Sequence, residues 1–106
     1  MNTDNIVILV TAKDKTEAQK IARGLLAKKL IACANILDGV QSLFWWEGKI
    51  DDANETLLVL KSRSEHLKEV TAAVKELHSY QVPEVIALSI LGGNQDYLNW
   101  IKESVK

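Results

Sequence analysis

The run Ile6-Val7-Ile8-Leu9-Val10 is apolar at every position and mostly β-branched, which predicts a strand covered on both faces. Asp14, with Glu17 three residues on, is a capping-box-like helix start, and Ala18, Ile21, Ala22, Leu25 and Leu26 then recur at helical spacing. That helix is expected to end near Lys29. Cys33 to Ile36 begins a second strand, which continues past an irregularity at Asp38-Gly39 through Val40, Leu43, Phe44, Trp45 and Trp46. The Glu47-Gly48-Lys49 turn folds it back into a long hairpin whose return strand is centred on Leu57-Leu58-Val59-Leu60. Ser64 can cap a second helix carrying Leu67, Val70, Val74 and Leu77 on one side. Val85 to Leu91 reads as another strand, Gly92-Gly93 interrupts it, and Asn94 can cap a closing helix with Tyr97, Leu98, Ile101 and Val105.

The order β-α-β-β-α-β with an added C-terminal helix is the split βαβ, or ferredoxin-like, arrangement of the α+β class. Right-handed crossovers place both main helices on one face of the sheet. One face should then be polar, yet in each strand both alternating sets are apolar: Ile6/Ile8/Val10 and Val7/Leu9, Leu58/Leu60 and Leu57/Val59, Ile86/Leu88/Ile90 and Val85/Ala87. In Phe44-Trp45-Trp46, moreover, at least one large ring must face away from the helices, because neighbouring strand residues point oppositely. A second copy of the chain is the expected cover, with the C-terminal helix as the local alternative for part of it.

Composition narrows the partners. The 106 residues make one domain, 1–106, able to bury roughly 65% of its unfolded surface without a staple. Thirteen basic and fourteen acidic residues leave a formal charge of -1, which offers neither nucleic acid nor an anionic membrane an electrostatic handle. A single cysteine excludes an internal disulfide, and Met1-Asn2-Thr3-Asp4-Asn5 lacks the basic and apolar regions of a leader, so a cytoplasmic protein is expected. No apolar run is long enough to span a bilayer.

Polar chemistry concentrates in His78-Ser79-Tyr80-Gln81-Val82-Pro83-Glu84, a junction between helix and strand stiffened by the only proline. Together with Leu30-Ile31-Ala32-Cys33-Ala34-Asn35-Ile36, Phe44-Trp45-Trp46-Glu47-Gly48-Lys49-Ile50 and Tyr97-Leu98-Asn99-Trp100-Ile101, the Leu77 to Ile86 segment resembles the ordered motifs of the CutA family of divalent-cation-tolerance proteins. The resemblance spans almost the whole chain. It implies a ferredoxin-like homotrimer, joined by edge strands around a central axis with clefts between subunits, and a role in tolerance to copper and other divalent ions. The sequence departs from the family's proposed copper ligands: Val10 stands where a cysteine would, and Leu77 replaces the first histidine of a pair, leaving His78. Ser79 replaces the usual proline.

Copper(II) favours imidazole and, once reduced, thiolate, so His78 and Cys33 are the natural metal ligands, with Glu84 or a neighbouring subunit completing the set. Each has a structural alternative. His78 can be a helix-terminal cation or a hydrogen-bonded anchor, and Cys33 a small buried hydrophobe. His66, between Glu65 and Glu69, reads as part of a solvated helix face, or as a weak carboxylate-histidine site for zinc or copper. Trp46, Lys49, Lys61, Tyr80 and Glu84 could line an intersubunit cleft of aromatic walls and opposite charges. Gly92-Gly93-Asn94 reads as a turn and cap.

No nucleophile-base-acid order, phosphate loop or dinucleotide fingerprint is present, so no enzyme and no organic cofactor are expected. The leading expectation is a trimer that binds divalent ions such as Cu(II) weakly near His78. The alternative is a signalling or interaction module similar in architecture to the PII-type trimers, holding a small ligand in its clefts.

Overall fold

The structure, a computed structural model, describes residues 4–106. The Met1-Asn2-Thr3 part of the leaderless reading lies outside the described residues. The elements are β1 (Asn5–Ala12), α1 (Lys15–Ala27), β2 (Cys33–Trp46), β3 (Lys49–Arg63), a 3-10 turn (Ser64–His66), α2 (Leu67–Leu77), β4 (Val85–Ser89) and α3 (Gln95–Ser104). The strands form one antiparallel sheet in the order β2-β3-β1-β4. This is the split βαβ architecture that the element order predicts.

Directly paired residues share a face, so the register sorts the apolar positions. Ile8, Leu60, Ala34 and Ala87 make one row, and Val10, Leu58, Ile36 and Val85 the next. These rows pack against Ile21 and Leu25 of α1 and Val70 and Val74 of α2 in a single core cluster. Ile8, Ile21, Leu25, Leu58 and Leu60 are fully buried, each contributing about 1.5–3 kcal/mol. α1 packs against the end of α2 at Gly24, where an added Cβ would come within 2.8 Å of Leu77 Cδ1. Leu77 is therefore a packing position between the helices.

The opposite face carries the rows Val7, Lys61, Cys33, Leu88 and Leu9, Val59, Asn35, Ile86. α3 crosses this side against β1 and β3, and fully buries Ile101 outside the main core cluster. It covers only part of the face. Leu37, Ile86 and Leu88 remain about half exposed.

Beyond the core, β2 and β3 continue as a two-stranded arm, which helps to stretch the molecule to 44 × 26 × 23 Å. A bulge between Leu37 and Val40 separates arm from body. Gly39 adopts φ 73° there, and the Thr56 hydroxyl donates to Asp38 Oδ1 at 2.9 Å. At the tip Trp46 pairs with Lys49, and Glu47 and Gly48 have φ 50° and 77°, the two positive values that a two-residue type I′ loop requires.

Three boundaries differ from the pattern. Ser64 opens a 3-10 turn, and α2 starts at Leu67 without a side-chain cap. β4 stops at Ser89, although the Ile90 amide still donates to the Asn5 carbonyl at 3.0 Å. α3 ends at Ser104, so Val105 falls outside it, while Asn94 caps it as expected through Oδ1 to the Asp96 amide at 2.9 Å.

α1 ends in a Schellman motif. The Leu30 amide donates to the Leu25 carbonyl at 3.1 Å and the Lys29 amide to Leu26 at 3.0 Å, with Lys29 at φ 55°. A lysine in this left-handed conformation costs about 1 kcal/mol relative to glycine. Lys29→Gly is therefore expected to raise stability by about 0.5–1 kcal/mol in urea denaturation, less than the full strain because glycine loses more entropy on folding. An unchanged or lower midpoint would refute the strain.

Candidate functional site

The site is built where α2 hands over to the loop before β4. The His78 side chain is fully enclosed, and each ring nitrogen meets main chain: Nε2 lies 2.7 Å from the Thr11 carbonyl oxygen and Nδ1 3.0 Å from the Tyr80 nitrogen. A carbonyl can only accept and an amide only donate, so Nε2 carries the proton and Nδ1 offers its lone pair to Tyr80. His78 thus ties the end of β1 to the loop as a hydrogen-bonded anchor.

Glu17 completes the junction. Its amide donates to Asp14 Oδ1 at 2.8 Å, the predicted cap, while its own carboxylate accepts from the Lys13 amide at 3.1 Å and the Ser79 amide at 2.8 Å. It also lies 3.7 Å from His78 Nδ1. Burial pushes the Glu17 carboxyl upward, but the hydrogen bonds from Ser79 and Lys13 outweigh it and hold its pKa below the ordinary 4.5.

Tyr80 packs its ring 4.6 Å from that of His78 and donates its hydroxyl to Glu55 Oε2 at 2.8 Å. Its pKa is pushed up to about 12, first by burial, then by the Glu55 hydrogen bond and charge, with smaller effects from Glu17 and Asp14. The phenol stays a donor at neutral pH.

Between this loop and the arm lies a groove of about 770 Å³. Trp46, Phe44, Asp51 and Glu55 line it from the arm, Thr11 from β1, and Tyr80 and Glu84 from the loop. Of the residues singled out in the sequence, Trp46, Tyr80 and Glu84 therefore meet. Lys49 does not line it; it pairs with Trp46 at the arm's tip. Lys61 lies elsewhere, on the α3 side of the sheet, donating to Asn35 Oδ1 and standing 3.9 Å from Cys33 Sγ.

The expected metal set of His78, Cys33 and Glu84 does not converge. His78 has no free nitrogen, Cys33 lies two strands across from β1 and four positions, roughly 13 Å, along it from the level of Thr11, and Glu84 is exposed on the groove wall. Among the described residues no three His, Cys, Asp or Glu side chains are grouped to hold an ion. Cys33 is half-buried with Lys61, Asn35 and Tyr97 around it, a more polar setting than a core hydrophobe has. Burial and the Cys33 thiol both raise the pKa of Tyr97.

His66 is not part of a solvated face. It is buried, with Nε2 at 2.7 Å from the Lys106 main-chain oxygen and Nδ1 4.0 Å from Glu69 Oε1.

Glu17, Asp51 and Glu55 were not singled out as site residues from the sequence. Glu55 had a signal: by alternation it shares the face of Leu57 and Val59, an acid placed in an apolar row.

Fold and groove define a small ferredoxin-like α+β protein with an acidic, aromatic cleft at the base of a two-stranded arm. The chain belongs to the CutA1 divalent ion tolerance protein family, whose model matches residues 6–104. It is 45% identical over 102 residues to a chloroplastic CutA 1 protein of Oryza sativa and 42% identical to a chloroplastic CutA protein of Arabidopsis thaliana. Both matches cover 96% of this chain but only 58% and 56% of those longer relatives. The Escherichia coli divalent-cation tolerance protein CutA is 39% identical over 99% of this chain and 94% of its own. Among solved structures, CutA1 from Oryza sativa aligns with TM-score 0.95 at 44% identity, covering 98% of this chain and 95% of that one. The periplasmic divalent cation tolerance protein CutA of Archaeoglobus fulgidus aligns at 0.93 and 45% identity, covering 96% and 99%. The chloroplastic and periplasmic descriptions overturn the cytoplasmic location expected from the residues at the chain's start. A location does not follow from the domain, which the same fold carries in different compartments.

His78→Ala should lower stability by about 3 kcal/mol, since it strands the Thr11 carbonyl and the Tyr80 amide. Denaturant melts check this, and a loss below about 1 kcal/mol would remove its anchoring role. Because folding depresses the Glu17 pKa, its contribution is present above pH 4.5 and is lost as pH falls through the lower folded value. Glu17→Gln should therefore weaken the protein at pH 7 and flatten the decline of stability below pH 4.5; an unaltered acid limb would contradict this.

Proposed function

We propose that this chain acts in divalent-cation tolerance as a homotrimer, without catalysing a reaction, and that it engages a divalent ion such as copper weakly at the subunit boundary. One observation carries the assembly: the sheet face left open by α3 and the arm beside it stay apolar, with Trp45 73% exposed and Ile86 and Leu88 about half exposed. A second copy is the partner whose chemistry matches, because both edge strands, β2 and β4, offer unpaired main-chain groups beside those side chains.

Weak metal engagement follows from the ligand supply. His78 is committed to main chain, so an ion is left with exposed carboxylates such as Glu84 and with what a neighbouring subunit adds. Oxygen ligands of this kind hold transition metals less firmly than imidazole and thiolate do. The family membership supports the cation role.

Light scattering of the purified protein should give three times the 11.8 kDa chain mass, and Trp46→Ala should shift the population toward smaller species. A monomeric wild type, or an unchanged trimer of the variant at low micromolar concentration, would defeat the assembly. Chelator-competed Cu(II) and Zn(II) calorimetry should give dissociation constants above about 10 μM. A nanomolar site at a whole-number ratio per subunit would overturn weak engagement.

A further inference from the structure

His66 is only 6% exposed, yet its two ring nitrogens are treated unequally. Nε2 lies 2.7 Å from the Lys106 main-chain oxygen, which can only accept, so Nε2 carries the proton of the neutral ring. Nδ1 is then left with a bare lone pair. Solvent does not reach it, and it has no hydrogen-bond partner among the described residues. What faces it is a second acceptor, Glu69 Oε1 at 4.0 Å. The other buried histidine shows how a neutral ring is satisfied, with the Thr11 carbonyl at one nitrogen and the Tyr80 amide at the other. His66 instead stands between two acceptors, a setting that suits a ring carrying two N–H groups.

The neighbouring charges leave Glu69 as the partner of Nδ1. The Lys106 ammonium lies 2.9 Å from Glu69 Oε2, and its hydrogen bond, followed by its charge, holds the Glu69 carboxyl below the ordinary 4.5 against some desolvation. Glu69 is therefore an anion throughout the range in which imidazole titrates. Glu65 is engaged with Arg63 at 3.7 Å, and Arg63 also meets Asp4. From the end of α1, Lys29 offers its carbonyl to the Lys106 amide at 2.9 Å, and Lys28 borders a hollow that it shares with Glu69 and Glu76 of α2.

Lys106 is thus clasped three ways, by its amide on Lys29, its main-chain oxygen on His66 and its ammonium on Glu69. It follows Ser104, the last residue of α3, by two positions, and α3 itself buries only Ile101, so the clasp restrains the end of a lightly anchored helix. All these groups belong to one chain, and the ring is buried before any second copy is added. The arm and the edge strands take no part.

We propose that His66 is a proton-operated latch for the segment after α3: with a second proton the ring donates to Lys106 and Glu69 at once and fastens Lys106 to the body, and without it the contact with Glu69 is lost and the clasp slackens. Glu69, whose side chain is about half exposed, has to move only about 1 Å to bring its oxygen within hydrogen-bond length of Nδ1. A proton held more firmly in the fastened state makes fastening stronger as pH falls through the imidazole range and weaker as it rises. The latch does not depend on the cation-tolerance reading.

The test is NMR of the full chain in its native assembly between about pH 5 and 8, following the His66 ring and the Lys106 amide, beside His66→Gln and Glu69→Gln. The ratio of docked to released Lys106, read from relaxation and exchange protection, should rise about fivefold from the upper to the lower pH, in step with the ring titration, the scale of one partly exposed ion pair. His66→Gln keeps a donor for the Lys106 oxygen but cannot titrate, and should abolish the response. Glu69→Gln, at a half-exposed position, should lose most of it and keeps the test valid if the buried variant misfolds. A ratio that ignores pH, or rises with it, would make His66 a neutral anchor like His78. The same response in His66→Gln would assign it to another group. A response that disappears with EDTA and returns with ZnCl2 would mean that an ion rather than a proton joins Nδ1 to Glu69. Each of these three outcomes overturns the proposal.

Discussion

The His78 ring, shut away from solvent, gives one nitrogen to the Thr11 carbonyl and the other to the Tyr80 amide. Those bonds join the last turn of α2, the end of the central strand and the start of the loop that walls the groove. Glu17 reinforces the junction from α1 by holding the Ser79 amide. The orientation of Tyr80 then follows: its ring lies against His78 and its hydroxyl reaches Glu55 on the far side of the groove. An enclosed imidazole with both nitrogens used is a rigid strut, and rigidity here is what gives the groove a defined shape.

The same arrangement explains why two histidines in a chain of a metal-tolerance family provide no preformed metal site. Each is buried and directed at main chain, His78 at Thr11 and His66 at Lys106. Leu77 and Val10, the positions at which the family resemblance anticipated further ligands, are packing residues, Val10 wholly buried and Leu77 wedged against Gly24. Chemistry is displaced to carboxylates, and those gather beside the arm.

Much of the architecture was legible in the residues. The β-branched run at Ile6–Val10, the Asp14 cap, the Glu47-Gly48 turn and the Asp38-Gly39 irregularity each reflect local physics that tertiary contacts do not override. The two-sided apolar strands pointed to a covered second face, and α3 supplies part of that cover. The groove was only half legible. Tyr80 and Glu84 are adjacent in a visibly polar loop, whereas Glu55 and Asp51 reach it from the return strand, and only the register shows which side of the arm they share with Phe44. Lys61 looked equivalent to them by composition but stands several pairs farther along β3, at the Cys33 end of the sheet. Spacing along a chain cannot distinguish these without the pairing. Ser64 failed as a cap for a different reason: a single 3-10 turn intervenes before the helix, and hydroxyl residues suit either start.

The placement of β1 at the centre of the sheet has a temporal meaning. Its partners are β3 and β4, and Ile6 pairs with Ser89, so the sheet cannot close until residue 89 of 106 has been synthesised. Contacts so distant along the chain make folding slow relative to helical proteins of equal size. Until β3 ends at Arg63 both edges of this apolar strand are open, and until β4 follows one of them still is, on a segment of low charge and high β-propensity. The centre of the finished fold is thus also its most vulnerable part during birth, and chaperone dependence in this chain should be decided by β1.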